Sequence, residues 1–275
     1  MNLKKLPIHL ILSLIAVIFI VPLLTILSTS FKTSTEIYSA SFSLIPQTIS
    51  LDNFSSAIKD IDFFSCFFNT AYIAVINILT VTLGSALSAY AFLVLDINKG
   101  LKSFLFVLSL SIMMLPDMVI LVPQFMLFKW LGFYGNKLPL LLPYIGGLPF
   151  YIFLLYQFFT SVPKDLRESA KLDGATEFQI WWEIYMPIAK PAILVVVLLQ
   201  FLLTWNDLIK PSVFLINEKH YTLSLALEQY VSRLGGAEWG PLMASVVLMI
   251  LPVIILFLFT QKSFIQGLSF KGIKG

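Results

Sequence analysis

Six apolar runs, each long enough to cross a bilayer as a helix, dominate this chain: residues 10–31, 67–95, 104–128, 138–159, 191–216 and 242–260. A helical crossing takes about 20 apolar residues. Lipid offers no hydrogen-bond partner to backbone N–H and C=O groups, so such a run must satisfy them internally. The runs are too long and too evenly apolar for the roughly ten-residue alternating strands of a barrel. The expected fold is therefore all-α, a polytopic transmembrane helical bundle with six spans forming a single domain over residues 1–275. Composition agrees: the chain is 58% hydrophobic and 12% charged, with a mean hydropathy of +0.90, where soluble domains carry about 25% charge. The first run follows Lys4 and Lys5, but its uncharged stretch over residues 10–27 exceeds the roughly 7–15 residues of a signal-peptide core. It is expected to remain as a span.

Lys and Arg gather on the cytoplasmic side of membrane proteins. With the N-terminus inside, the inner segments hold 11 of the 18 basic residues and 6 of the 15 acidic ones, leaving 7 and 9 outside. The inner face is then near +5 and the outer near −2, which together give the net +3. Both termini and the 161–190 segment are expected to face the cytoplasm. The mild basic excess is explained by this asymmetry, with no nucleic acid involved. Outside lie segments 32–66, 129–137 and 217–241, none large enough for a further domain, on which a soluble partner could land. Cys66 is the single cysteine, and His9 and His220 are the two histidines. No disulfide within the chain and no metal site are expected from so few ligands.

The polar insert at 161–190 reads as two short helices. Pro163 suits a helix start, where a missing N–H is no loss. Residues 164–172 are good helix formers, and Asp173 with Gly174 breaks them, since glycine accepts the left-handed conformation of a C-terminal cap. Thr176 with Gln179 three residues on forms a capping-box pattern that restarts the chain. Phe178, Trp181, Trp182 and Tyr185 give the second helix an aromatic face, and Pro187 and Pro191 end it. From these residues alone, a hinged elbow that touches a partner and an amphipathic hairpin lying on the membrane are both open.

The spacing narrows this. Glu168, Ser169, Ala170, two residues, Asp173, Gly174, Ala175, then eight residues to Ile184, Tyr185, Met186 and Pro187 resembles the signature loop of ATP-binding-cassette (ABC) importer permeases. Ser169 stands where that loop has Ala, and Met186 where it has Leu. Similarity to the carbohydrate branch of these permeases, the maltose type, covers nearly the whole chain. It includes Asn69 and Thr70, Met114 to Pro116, Val122 and Pro123, Leu131 and Gly132, the set Trp205, Asn206 and Asp207, Trp239 and Gly240, and the Gly272, Lys274, Gly275 tail. Phe270 and Lys271 depart from the small residues usual there. The resemblance implies a type I importer permease, paired with a second homologous permease, two cytoplasmic ATPases and an extracytoplasmic solute-binding protein. It implies further that Glu168, Ser169, Ala170, Asp173, Gly174, Ala175 and Pro187 couple to an ATPase, and that Gly272, Lys274 and Gly275 reach it as well. ATP and Mg would then belong to that partner. The chain itself has no Gly-x4-Gly-Lys-Ser/Thr loop to cradle phosphates, so no cofactor and no catalytic residues are expected in it. The implied solutes are oligosaccharides, disaccharides, or polyol and glycerol phosphates.

Candidates for the solute path are Asp117, Trp205, Asn206 and Asp207. Pro116 and Pro123 interrupt the third run, and such backbone is tolerated at membrane depth where it lines a cavity. Asp117 lies 14 residues past Ser103, about 21 Å along a straight helix. An intramembrane carboxylate marks function by default, although pairing with a neighbouring span is equally open. Trp205, Asn206 and Asp207 offer an aromatic face with hydrogen-bonding groups, and a gate or an interfacial belt would suit them too. A secondary transporter would be expected to show inverted repeats or more buried ionisable groups. A membrane-embedded enzyme would need catalytic groups converging at one depth, and a channel subunit a filter-like loop. None of these is visible in the sequence.

Overall fold

A computed structural model describes residues 6–39, 43–95, 97–233 and 238–269. Among them every regular element is helical. In chain order these are α1 (Leu6–Ser30), α2 (Ser34–Ile37), α3 (Asp52–Asp60), α4 (Phe63–Val94), α5 (Lys99–Ser111), α6 (Asp117–Trp130), α7 (Pro149–Phe159), α8 (Lys164–Leu172), α9 (Glu177–Ile180), α10 (Met186–Ile188), α11 (Lys190–Trp205), α12 (Ile209–Phe214), α13 (Leu223–Arg233) and α14 (Trp239–Ser269). Single turns of 3₁₀ helix cover Ile112–Met114, Leu138–Leu140, Leu142–Tyr144 and Glu218–His220, and a π-helical turn covers Trp181–Tyr185.

Among the described residues four segments are long and apolar enough to cross a membrane: Pro7–Ser30, Phe63–Val94, Leu138–Phe159 and Trp239–Gln261. The count reaches six if two bent pairs are each taken as one span. Those pairs are Lys99–Met114 with Asp117–Trp130, bent by 97°, and Glu177–Ile188 with Lys190–Trp205, bent by 79°. The run at 104–128 is therefore no straight rod. Pro116 removes a backbone donor and sits extended as the N-cap of α6, so the depth reckoned for Asp117 along a continuous helix does not apply. The run at 191–216 is likewise interrupted. α11 has 16 residues, about 24 Å of helix, and the chain breaks at Asn206 before α12 begins. In 138–159 only the second half, α7, is regular α-helix.

The chain packs as two compact units. One comprises the residues up to Phe67 with Leu225–Ile254, and the other comprises Phe68–Ser224 with the chain from Ile255 on. In the first, buried Asn53 of α3 donates its side-chain amide to the carbonyls of Ser30 (3.0 Å) and Lys32 (2.7 Å), closing the chain just past α1. Phe31 and Phe54 pack beside this clamp, their centroids 5.0 Å apart. In the second unit the core runs through α4, α7, the aromatic turn after α9, and α11. It is built on Val81, Tyr90, Tyr151, Leu155, Phe159, Trp181, Tyr185 and Val196. Here α4 lies against the backbone at 145–147: a Cβ on Gly84 would sit 2.5 Å from the Ile145 carbonyl oxygen. The Leu148 N–H donates to the Ser85 hydroxyl across this contact, at 3.1 Å. Small residues at such points let backbones approach closely.

Candidate functional site

The elbow forms as local chemistry dictates. α8 ends in a Schellman motif: the Ala175 N–H reaches the Ala170 carbonyl and the Gly174 N–H the Lys171 carbonyl, each at 3.0 Å. Gly174 occupies the left-handed C′ position, with φ +86°. Ala170 and Ala175 stand at the two positions whose apolar contact often accompanies such a cap, and both pack on the core. Thr176 then caps α9, its hydroxyl accepting the Gln179 N–H while the Gln179 side chain accepts the Thr176 N–H at 2.9 Å. Glu168, Ser169, Asp173 and Pro187 are solvent-exposed. Ala170, Gly174 and Ala175 thus shape the elbow, and Glu168, Ser169 and Asp173 face outward from it. The aromatic residues divide between two environments: Trp181 and Tyr185 are buried, Phe178 and Trp182 exposed. Leu172 is 90% exposed at the tip of α8.

A polar network anchors the elbow to the bundle. Glu177 accepts Arg167 Nη2 and Lys171 Nζ on Oε1, each at 2.6 Å, and the Tyr90 hydroxyl on Oε2 at 2.6 Å. Tyr90 lies near the end of α4. Its ring meets Tyr185 at 4.9 Å and Phe159 at 6.4 Å, both edge-on. One carboxylate therefore joins α8, α9 and α4, and the rings extend the joint to α7. Burial disfavours the charged form of Glu177, but hydrogen bonds from Arg167, Lys171 and Tyr90 outweigh it and bring the carboxyl down to about 2. Arg167 is raised by the same contact, against the opposing effect of its own burial.

The folded value for Glu177 lies below the ordinary 4.5. The network's stabilisation is therefore complete above about pH 4.5 and is lost as pH falls from there toward about 2. Tryptophan emission from Trp181 and Trp182 should hold steady from pH 8 to 5 and shift below pH 4.5. Glu177→Gln should remove that acid transition and leave the elbow loosened at every pH.

The path candidates separate. Trp205 is buried, 2% exposed, and stacks on Phe201 at 5.0 Å. Asn206 caps α11, its side chain donating to the Leu202 carbonyl at 2.9 Å. Both serve the end of a helix. Asp117 and Asp207, by contrast, line one cavity of about 260 Å³ together with Tyr144, Leu148, Ile209 and Lys210. Lys210 Nζ lies 3.7 Å from Asp117 Oδ2 and 3.0 Å from the Tyr144 hydroxyl, and its backbone N–H donates to Asp207 Oδ1 at 3.2 Å. Three interruptions meet at this cavity: Pro116 before α6, the turns at 142–148 before α7, and the break at 206–208 before α12. Irregular backbone in an apolar chain is sustained where it lines a cavity, and breaks in three apolar runs around one point fit that rule.

Lys210, Tyr144, Leu172, Arg167 and Glu177 were not singled out from the sequence. Lys210 sits in an apolar run, and an intramembrane lysine is itself a signal. Tyr144 and Glu177 carry no local mark, because their partners Lys210 and Tyr90 lie 66 and 87 positions away. Gly272, Lys274 and Gly275 lie outside the described residues.

Residues 81–269 match the family described as "Binding-protein-dependent transport system inner membrane component". The arabinooligosaccharides transport system permease protein AraQ of Bacillus subtilis (strain 168) is 33% identical over 265 residues, covering 95% of this chain and 93% of that protein. The maltodextrin transport system permease protein MalD of Streptococcus pneumoniae is 30% identical, covering 95% and 92%. A chain in the crystal structure of a bacterial ABC transporter for import of the acidic polysaccharide alginate superposes with a TM-score of 0.83 at 24% identity, over 96% of this chain and 99% of that one. A second, solved with an alginate pentasaccharide-bound periplasmic protein, gives 0.68 at 17% identity, over 98% and 95%.

Proposed function

Since the chain belongs to the family of binding-protein-dependent transport system inner membrane components, we propose that it is the permease subunit of an ATP-driven importer of oligosaccharides. The observation that carries this reading is near-full-length similarity to permeases named for arabinooligosaccharides, galactooligosaccharides and maltodextrins. The whole chain serves as one transmembrane domain with both termini in the cytoplasm. It pairs with a second homologous permease and takes solute from an extracytoplasmic binding protein. ATP is bound with Mg and hydrolysed on two separate ATPase chains, so this subunit needs no cofactor and catalyses nothing itself.

In this reading the elbow is the transmission. Exposed Leu172, flanked by Glu168 and Asp173, enters a cleft on the ATPase. The Glu177 network and the Tyr90, Phe159 and Tyr185 rings carry the push to α4 and α7. Gly272, Lys274 and Gly275 give the tail a second contact with the motor. When ATP closes the ATPase pair, the elbows draw together and bias the spans between inward- and outward-open arrangements.

Co-expression with the ATPase and the companion permease tests this. The wild-type chain should co-purify with the ATPase and support ATP-dependent uptake from a panel of oligosaccharides loaded on the binding protein. Leu172→Asp should cut ATPase recovery at least ~10-fold, since a charge forced into an apolar cleft costs more than the 1.4 kcal/mol of a tenfold change. Recovery unaffected by Leu172→Asp would overturn the docking assignment, and uptake without any ATPase would favour a secondary transporter.

A further inference from the structure

We propose that the cavity at the three helix breaks is a sugar-contacting station that passes neutral sugar units and turns away uronates, with Asp117, Tyr144, Asp207 and Lys210 as its polar groups. This rests on the oligosaccharide reading above. The formal charges carry the selectivity. Two carboxylates and one ammonium line it, so the empty cavity carries a net charge of −1. Lys210 is already engaged by Asp117 and the Tyr144 hydroxyl, and its ammonium lies 5.3 Å from the centre of the Tyr144 ring. An incoming carboxylate would have to displace Asp117 from Lys210 and then sit beside like charges, which repel it. A neutral hydroxyl escapes that conflict. It can donate to Asp117, whose side chain is 85% exposed, and accept from Lys210 or Tyr144.

Size and lining agree with a sugar unit. A volume of about 260 Å³ falls just below the roughly 300 Å³ at which pockets for drug-sized ligands begin, which suits a ring or two of a longer chain. Met118, Leu121 and Leu203 supply apolar wall for the C–H face of a ring. Behind Tyr144, Asp207 and Lys210 lies a smaller void of about 10 Å³. Asn77 and Thr222 line it at 1% and 3% exposure, and Asn77 Oδ1 and Thr222 Oγ1 have no hydrogen-bond partner among the described residues. A void of that size holds one water, which would connect these buried oxygens to the charged groups. The polar lining therefore continues beyond the open cavity, as a site that sheds and regains water with each passing solute requires.

The test uses the assembled importer in proteoliposomes, with binding protein at saturation. The probes are the neutral oligosaccharide found in the uptake panel and the same molecule oxidised at its terminal primary hydroxyl to a carboxylate. The wild type should prefer the neutral form at least tenfold beyond the binding protein's own affinity ratio. Asp117→Asn should narrow that preference at least threefold, and Lys210→Met should widen it. Leu121→Trp, which fills the cavity without changing charge, should lower uptake of both probes at least tenfold in a complex that still co-purifies. A wild-type preference no greater than that of the binding protein, or one unmoved by Asp117→Asn and Lys210→Met, overturns the station while leaving oligosaccharide import in place. Failure of every sugar in the panel to enter removes the oligosaccharide reading, and this one with it.

Discussion

Gly174→Val should abolish productive coupling, with ATP-dependent uptake falling at least ~10-fold while the protein still inserts into the membrane. The cause is confined to the backbone. Gly174 sits at φ +86° and a Cβ there would meet nothing within 4 Å, so no collision contributes. A β-branched residue is an outlier in the left-handed region, and holding it there costs about 1–3 kcal/mol. Each 1.4 kcal/mol is a tenfold change in an equilibrium, enough to unwind the cap that sets the direction of α9 relative to α8. Gly174→Asn is the control, because asparagine tolerates this conformation. It should keep most of the uptake, and equal loss in both variants would show that something other than backbone conformation matters at this position.

Gly84→Leu should produce the largest loss of stability. The added side chain would begin 2.5 Å from the Ile145 carbonyl oxygen, 2.7 Å from the Gly147 nitrogen and 2.8 Å from the Gly146 carbonyl carbon. All three are backbone atoms, which cannot rotate aside as the end of a side chain can. Overpacking usually costs about 1–3 kcal/mol, and here the upper figure or more is expected. That corresponds to a fall of roughly 6–12 °C in Tm, read as thermal unfolding in detergent. Ser85→Ala removes only the hydrogen bond to Leu148, worth about 1 kcal/mol, and should lower Tm by roughly 2–4 °C. Comparable melting of Gly84→Leu and the wild type would mean that α4 and the 145–147 backbone are not in contact.

The two ends of the second unit differ in how far they could be read in advance. The elbow was legible because its determinants are local: the Gly174 cap and the Thr176–Gln179 box act within a few residues of one another, whereas Pro187, expected to end the second helix, lies inside α10. Its anchor was not, since Tyr90 meets Glu177 across 87 positions and nothing near either residue marks the pairing. The cavity shows the same divide. Pro116 and Asp117 pointed to an interrupted span, but the measure of depth assumed a straight helix and the 97° bend removed its basis. Trp205, Asn206 and Asp207 read as one recognition set by residue type; in the structure Trp205 stacks on Phe201, Asn206 caps α11 and Asp207 lines the cavity.

The sequence alone determined that this chain is helical and spans a membrane, because a long apolar run in lipid has no other way to satisfy its backbone. It also determined where the elbow bends, because caps and breakers work through bonds a few residues long. Only the tertiary structure decided which ionisable groups share a cavity, which aromatic rings are buried and which face outward, and which carboxylate ties the elbow to the bundle. Those outcomes depend on contacts between segments far apart in the chain, and hydrophobic periodicity carries no record of which distant faces will meet.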